Sequence, residues 1–315
     1  MNPALLDLHL LRAFVAVARQ GSVSRAATQL HRTQPALSLQ LKKLAEASGL
    51  ELFQRGAHGM VLSADGAALL QLAERTLAAA DDFARGVERL HGSARGLLRI
   101  GTILDPSFLR LGDWLGALVR SAPQIATELR HGISGSVMAQ LQQGQLDVCF
   151  YLSPSLAATE ALQPALAGRT LTRFDYRVVA PAGWGPQVAG RDWEALATLP
   201  WLETPPESAH YRLLQGVFGP RGLAPRRAAL VDQEASMLDL IKSGVGLSLV
   251  RDAIAIRESQ THGLAVADRV RIPCELQFVC LVQRRADAVV QAAWQALEQV
   301  WGASDTATQV PGLSP

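Results

Sequence analysis

Between Gly21 and Phe53 the chain reads GSVSRAATQLHRTQPALSLQLKKLAEASGLELF. Small hydroxyl and amide side chains stand there beside cations, on what the spacing predicts to be two short helices joined by a tight turn. Hydroxyls and amides exchange hydrogen bonds with base edges and cations neutralise phosphates, so the chemistry on offer is recognition of a duplex rather than bond-making. Leu37, Leu41 and Leu44 recur at i, i+4 and i+7, so they face a core and turn Pro35, Ser38, Leu39, Lys42 and Lys43 outward. The adjacent lysines stand out, because Lys242 is the only other lysine in the chain. From Arg12 to Arg55 seven basic residues (Arg12, Arg19, Arg25, Arg32, Lys42, Lys43 and Arg55) meet two acids, Glu46 and Glu51, within a chain of net charge +2. A concentrated cationic surface is the footprint of a polyanionic partner, although a solvated helix face has a similar composition.

The elements that must position these residues are legible around them. Leu8, Leu11, Phe14, Val15 and Ala18 recur at helical spacing and predict an amphipathic first helix. Gly21 ends it, Ser22 or Ser24 caps a second helix, and Ala26, Ala27 and Leu30 form that helix's buried stripe. His31 and Arg32 make the turn. Thr33 caps a third helix from about Gln34 to Ala47, with Pro35 tolerated in its first turn. A helix held this way presents its N-terminal residues to the major groove, with cations on phosphates. Leu52 and Phe53 return to the core, and Arg55 to Leu62 predicts a two-stranded wing turned by Gly56 and Gly59.

Bulk properties bound the rest. A length of 315 residues allows two domains of about 150 residues each. Hydrophobic residues at 49%, charged residues at 18% and a mean hydropathy of +0.13 describe ordinary globular composition with ample core material. Cys149, Cys274 and Cys280 sit in apolar runs, which predicts small buried core residues in a reducing compartment, not a disulfide framework, redox pair or metal site. No apolar run approaches the roughly 18 residues of a spanning helix. The N-terminus MNPALLDLHLLRAF lacks the basic segment and cleavage site of a secretory signal. A cytoplasmic location is therefore expected. No GxSxG, HExxH, P-loop or strand-borne GxGxxG occurs, and His131, His210 and His262 lack partners at catalytic spacing, so neither an enzyme nor a cofactor is expected.

From Ser63 to His91, Leu70, Ala73, Leu77, Ala80, Ala84, Val87 and Leu90 repeat at three and four residues, predicting one long helix with a seam for a partner. After Leu97 the pattern changes. Apolar runs LLRIGTI, IATELRHG, LDVCFYL, YRVVAP, WLET, AALVD, GLSLV and ELQFVCLVQ alternate with helical segments near Pro106–Ser121, Ser134–Gln143, Trp193–Leu199, Ala209–Phe218, Glu234–Ser243, Arg251–Glu258 and Ala288–Trp301. Such alternation predicts an open parallel α/β sheet with covered faces and ligands outside the strand carboxyl ends. Four strand ends lead into small polar residues: Thr102 with Asp105 and Ser107, Ser134 with Ser136, Thr204 to Ser208, and Gln233 after Asp232. Free N–H groups at helix N-termini attract anions, though each residue taken singly also fits plain capping. The last stretch, from Ala303 to Pro315, is rich in Ser, Thr, Pro and Gly and reads as a disordered tail.

Over about sixty residues the strings LLRAFVAVARQGSVSRAATQL, TQPALSLQLKKLA, LFQR and GMVLSADG resemble the winged helix-turn-helix of LysR-type transcriptional regulators. The resemblance implies Thr33, Gln34, Pro35 and Ser38 at the groove, with Arg32, Gln40, Lys42 and Arg55 near phosphates. Leu39 stands where arginine is frequent and is placed to touch a thymine methyl. His58 replaces a usual wing arginine, and Lys43 compensates in charge. It implies residues 1–62 as the DNA-binding domain, 63–92 as a dimerising linker helix, and 93–303 as an effector domain like a periplasmic binding protein. One lobe would take about 97–163 plus 270–303 and the other about 164–269, with strands crossing near Gly168 and Val270. Thr102, Asp105, Ser134, Ser136, Thr204, Gln233 and Arg251 would then line an inter-lobe cleft. Arg251 occupies a position often held by proline and suits a bidentate carboxylate. Asp105 would repel that carboxylate or pair with an ammonium group.

The resulting expectation is a sequence-specific regulator controlled by a small organic acid or amino acid. It would act as a dimer or tetramer on a double-stranded operator, with RNA polymerase as a further partner and no membrane contact. A nucleoid-type binder without effector, an enzyme with an appended DNA-binding domain and a solute-capture protein are the competing readings.

Overall fold

The computed structural model describes residues 7–56, 59–90, 95–162 and 164–302, and the chain divides into two compact units after Gly92. In the first unit α1 (Leu8–Gln20), α2 (Val23–Gln29) and α3 (Gln34–Ser48) precede an antiparallel hairpin of β1 (Phe53–Gly56) and β2 (Gly59–Leu62), and α4 (Ala64–Leu90) follows. Phe14, Val17, Ala26, Leu37, Leu44 and Leu52 fill its core, and Phe14 meets Phe53 edge to face at 5.5 Å. Gly21 ends α1 in the left-handed region (φ 59°) and hands the chain to Ser22, whose Oγ accepts from Arg25 N. The expected seam on α4 is partly used inside this unit. Leu70, Ala73 and Leu77 pack on the α1–α3 core, while Leu72 and Phe83 stay exposed. The side chains expected further along, at Ala84, Val87 and Leu90, lie outside the described residues, as does the tail 304–315.

The second unit holds β3 (Gly96–Thr102), α5 (Leu111–Ser121), β4 (Ile125–His131), α6 (Ser134–Gln142), β5 (Val148–Ser153), α7 (Leu156–Leu162) and the long β6 (Leu166–Ala180). There follow α8 (Gly185–Val188), α9 (Trp193–Ala197), β7 (Pro200–Glu203), α10 (Ala209–Phe218), β8 (Arg226–Leu230), α11 (Glu234–Lys242), β9 (Ser248–Arg251), α12 (Asp252–His262), the long β10 (Ala265–Leu281) and α13 (Ala288–Trp301). Six strands lie in the order β4-β3-β5-β10-β6-β9, and β7 pairs with β8. The wholly parallel sheet expected from strand–helix alternation is not what forms. β3 runs parallel to β4 and β5, but β10 is antiparallel to β5 and β6, and β6 to β9. The reason is connectivity: the chain leaves the first lobe along β6 and returns along β10, so these two neighbours must oppose one another.

Both long strands serve both lobes. β5 pairs with β10 from Cys280 back to Glu275, whereas β9 pairs with β6 only from Tyr176 onward. The chain therefore changes lobes inside the strands, near Arg173–Asp175 and Pro273–Glu275, later than the Gly168 and Val270 expected. In the first lobe, Trp114, Phe150, Phe278 and Trp294 form a chain of edge-to-face contacts at 5.1–5.6 Å, and Trp114 Nε1 donates to Ala293 O at 3.0 Å. Such pairs set ring geometry as well as burying apolar area. All three cysteines are buried free thiols, and burial raises their pKa values, that of Cys274 to about 12.

The helix expected from Pro106 begins instead at Leu111. Asp105 Oδ1 accepts from Phe108 N at 2.8 Å, which folds residues 105–110 into turns, and Arg110 takes a left-handed φ of 48° that interrupts any continuous helix.

Candidate functional site

The DNA-facing candidates are built by local sequence. Thr33 caps α3, its Oγ1 accepting from Ala36 N at 3.4 Å, and Pro35 fits the first turn because no intrahelical donor is needed there. Ser24 Oγ donates to Gln34 Oε1 at 3.1 Å and ties α2 to the start of α3. With Leu37, Leu41 and Leu44 buried, Arg32, Thr33, Gln34, Pro35, Ser38, Leu39, Lys42 and Lys43 stand exposed, and Gln40 is half-buried at the edge of the face. Leu39 is 53% exposed, an apolar side chain on an otherwise polar surface. Lys42 Nζ lies 3.7 Å from Glu46 one turn on, a solvated pair contributing little. Not every cation near this face is available. Arg19 donates to Glu74 at 2.8 Å, fastening α1 to α4, and the Arg25 guanidinium donates to Gln20 O. Arg55 lies on β1 opposite Met60, while its side chain and the whole of His58 lie outside the described residues.

The second constellation lies between the two lobes of the second unit. A cavity of about 1040 Å³ is lined by Asp105, Ser134, Thr204, Gln233 and Arg251 among the residues singled out in the sequence. The starts of α6, α10 and α11 and the turn after β3 all border it. Thr102 and Ser136 are not among the lining residues: the Thr102 hydroxyl faces β4, within 3.5 Å of Arg130 O, and Ser136 Oγ donates to Ile133 O at 2.8 Å. Ser134 Oγ accepts from Leu152 N and from Arg212 Nη2, both at 3.4 Å. The Thr204 and Ser208 hydroxyls hydrogen-bond to each other, and Ser208 also caps α10 by accepting from Tyr211 N at 3.0 Å.

Arg251 is 5% exposed and its fork is occupied. Nε and Nη2 donate to the two Glu234 oxygens at 3.1 and 2.9 Å, Nη2 also donates to Asp105, and the guanidinium lies 4.2 Å from the centre of the Phe108 ring. Glu234 belongs to the second lobe and Asp105 to the first, so one arginine ties the lobes across the cleft. Partial burial would raise the Asp105 carboxyl, but the Phe108 N–H and Arg251 together hold it below the ordinary carboxylate value. Burial would likewise lower the Arg251 pKa, and the two carboxylates reverse that. A second tie lies elsewhere on the cleft, where Gly135 N donates to Glu207 O at 2.8 Å. A Cβ on Gly135 would meet that carbonyl oxygen at 2.3 Å, so only glycine permits this approach.

Tyr176, His210, Glu234, Phe108 and Asp232 also line the cavity, and the sequence offered no motif for them as a set. Tyr176 comes from β6, opposite Arg251 in register, and His210 from the first turn of α10. Their rings meet edge to face at 4.7 Å. Burial raises the Tyr176 phenol well above its usual pKa and lowers the His210 imidazole to about 4, so both are uncharged at neutral pH. The strand alternation of YRVVAP could have put Tyr176 on a definite sheet face, but nothing local placed His210 beside it.

Among the described residues no helix is long and apolar enough to cross a membrane. Residues 8–67 match the bacterial regulatory helix-turn-helix protein, lysR family, and residues 91–302 match the LysR substrate binding domain. The HTH-type transcriptional regulator XapR of Escherichia coli is 25% identical over 287 residues, covering 90% of this chain and 95% of that one. The HTH-type transcriptional regulator IlvR of Caulobacter vibrioides is 27% identical over 285 residues, covering 90% and 94%. Among solved structures, CbnR, a LysR family transcriptional regulator, superposes with a TM-score of 0.60 at 20% identity over 94% of this chain and 99% of that one. Full-length CbnR in complex with its target DNA gives 0.58 at 21% identity, covering 93% and 99%. The two matched regions account for nearly all the described residues, and the chain belongs to the LysR family of DNA-binding transcriptional regulators.

Proposed function

We propose that this regulator binds a specific operator as a homodimer or homotetramer and responds to a small amino acid held between its lobes. The carrying observation is the inter-lobe cavity, about 1040 Å³ and bordered by three helix starts, in a chain whose α3 presents an exposed polar and cationic face. On α3, Thr33, Gln34, Pro35, Ser38 and Leu39 read base edges from the first turns. Arg32, Gln40, Lys42, Lys43, Arg55 and His58 contact phosphates. The exposed Leu72 and Phe83 on α4 support pairing of two protomers along that helix. RNA polymerase is a further partner, the setting is the cytoplasm, and no catalytic step is assigned.

The charge of the cleft favours an amino acid over a bare organic acid. Asp105, Asp232 and Glu234 line it against Arg251 and Arg257, an excess of one carboxylate that repels a simple anion. A zwitterion satisfies both signs: its ammonium meets Asp105 or Asp232, and its carboxylate meets Ser134 and Arg251. Nη1 of Arg251 makes no hydrogen bond to any described residue, so it remains a donor after Glu234 and Asp105 are served.

Footprinting on the DNA upstream of its own gene, against random duplex at fixed salt, tests the DNA half. A preference of about 10³-fold or more is expected, and equal affinity would leave a nucleoid-type binder. Thermal-shift measurements with the common amino acids and a matched set of small organic acids test the effector half. Stabilisation by acids alone would reject the zwitterion.

A further inference from the structure

Among the described residues, two side chains lining the cleft each carry a buried polar atom without a partner. Tyr176 Oη and His210 Nε2 are buried and make no hydrogen bond to any described residue, although Tyr176 is fully enclosed and His210 only 7% exposed. Buried polar atoms are ordinarily satisfied, and one left alone costs stability. Phenylalanine at position 176 would keep the ring contacts with His210 and Phe174 without that cost, so packing does not explain the hydroxyl. The two rings are adjacent, come from different elements, and both residues line the same cavity as Arg251.

Their chemistry restricts what they can receive. Both are uncharged at neutral pH, for the reasons given above. Arg251, the register partner of Tyr176, is already held by Glu234 and Asp105. A second carboxylate placed here would meet an acidic surplus, whereas a purely apolar group would leave both atoms unpaired. An amide or hydroxyl fits, because it both donates and accepts.

We infer that Tyr176 Oη and His210 Nε2 form a subsite for an uncharged hydrogen-bonding side chain, so that the effector is an amide- or hydroxyl-bearing amino acid. This rests on the reading of the cleft as an amino-acid site. A site built to hydrogen-bond a substrate group discriminates strongly against analogues that lack it.

Titration calorimetry on the full chain tests it with four probes: L-glutamine, L-homoserine, L-methionine and L-glutamate. At least one of the first two is expected to bind at least about 10-fold more tightly than both of the others, and Tyr176→Phe to remove that advantage while leaving methionine affinity unchanged. Methionine or glutamate binding as tightly as both neutral polar probes would overturn the subsite, as would an unchanged profile in the variant. If none of the four binds, the amino-acid reading itself fails and the subsite falls with it. A thermal melt without ligand adds an independent check. Tyr176→Phe is expected to melt at or above the wild-type temperature, because it removes an unpaired buried hydroxyl. A clear drop would mean that an internal water already satisfies Oη, which also overturns the assignment.

Discussion

The two units use charge in opposite ways. On α3 the cations are exposed: Lys42 has 72% of its side chain in solvent, and its Glu46 neighbour, 3.7 Å away, has 64%. In the cleft, Arg251 has 7% of its side chain exposed and is held by two carboxylates and an aromatic face. An exposed cation acts through a salt-screened field, and losing it disturbs little of the fold. A buried one acts through fixed geometry, and removing it strands its partners. The first arrangement suits a surface that must slide along phosphates before it settles. The second suits a site whose two walls must hold one spacing until a ligand competes for the same groups.

Five substitutions would break or sharpen that contrast. The largest effect is expected from Leu37→Ala, which opens a cavity in the small core beneath α3. About 3–4 kcal/mol of stability should be lost, with DNA binding falling alongside, as read by urea unfolding and gel shift. Retained DNA affinity would mean that α3 is held by something other than this core. Arg251→Met keeps the bulk over Phe108 but strands the largely buried Glu234, and should cost about 3 kcal/mol. A loss below about 1 kcal/mol would show that solvent screens the cleft as it screens α3, and the contrast would disappear.

On the surface, Lys42→Ala and Ser38→Ala should separate by kind rather than by size. The lysine variant should weaken operator and random duplex alike and reduce the salt slope by about one. The serine variant should shift base preference at one position by about 1–3 kcal/mol and leave the slope alone. Identical behaviour would merge phosphate and base contacts into one class. The smallest effect is expected from Thr33→Ala, which removes the α3 cap and should cost about 1 kcal/mol in denaturant unfolding. A negligible change would show that Gln34, held by Ser24, fixes the start of α3 by itself.

The α3 face was legible because each of its determinants is local. The Leu37–Leu41–Leu44 stripe, the Thr33 cap and the Gly21 turn lie within about two dozen residues, and helical periodicity alone decides which side faces out. The strands after Leu97 were equally readable as apolar runs. Their directions were not, since the antiparallel run of β6 against β10 follows from how the chain crosses between lobes.

For the cleft, the sequence by itself determined that several polar strand ends lead into helix starts, and Asp105, Ser134, Thr204, Gln233 and Arg251 do share one cavity. Only the tertiary structure decided what those residues meet. Arg251 and Asp105 are 146 positions apart, and Tyr176 and His210 come from different elements, so no periodicity couples them. Local spacing fixes which face a side chain takes on its own helix or strand. Its partner across a cavity is fixed by the packing of whole lobes.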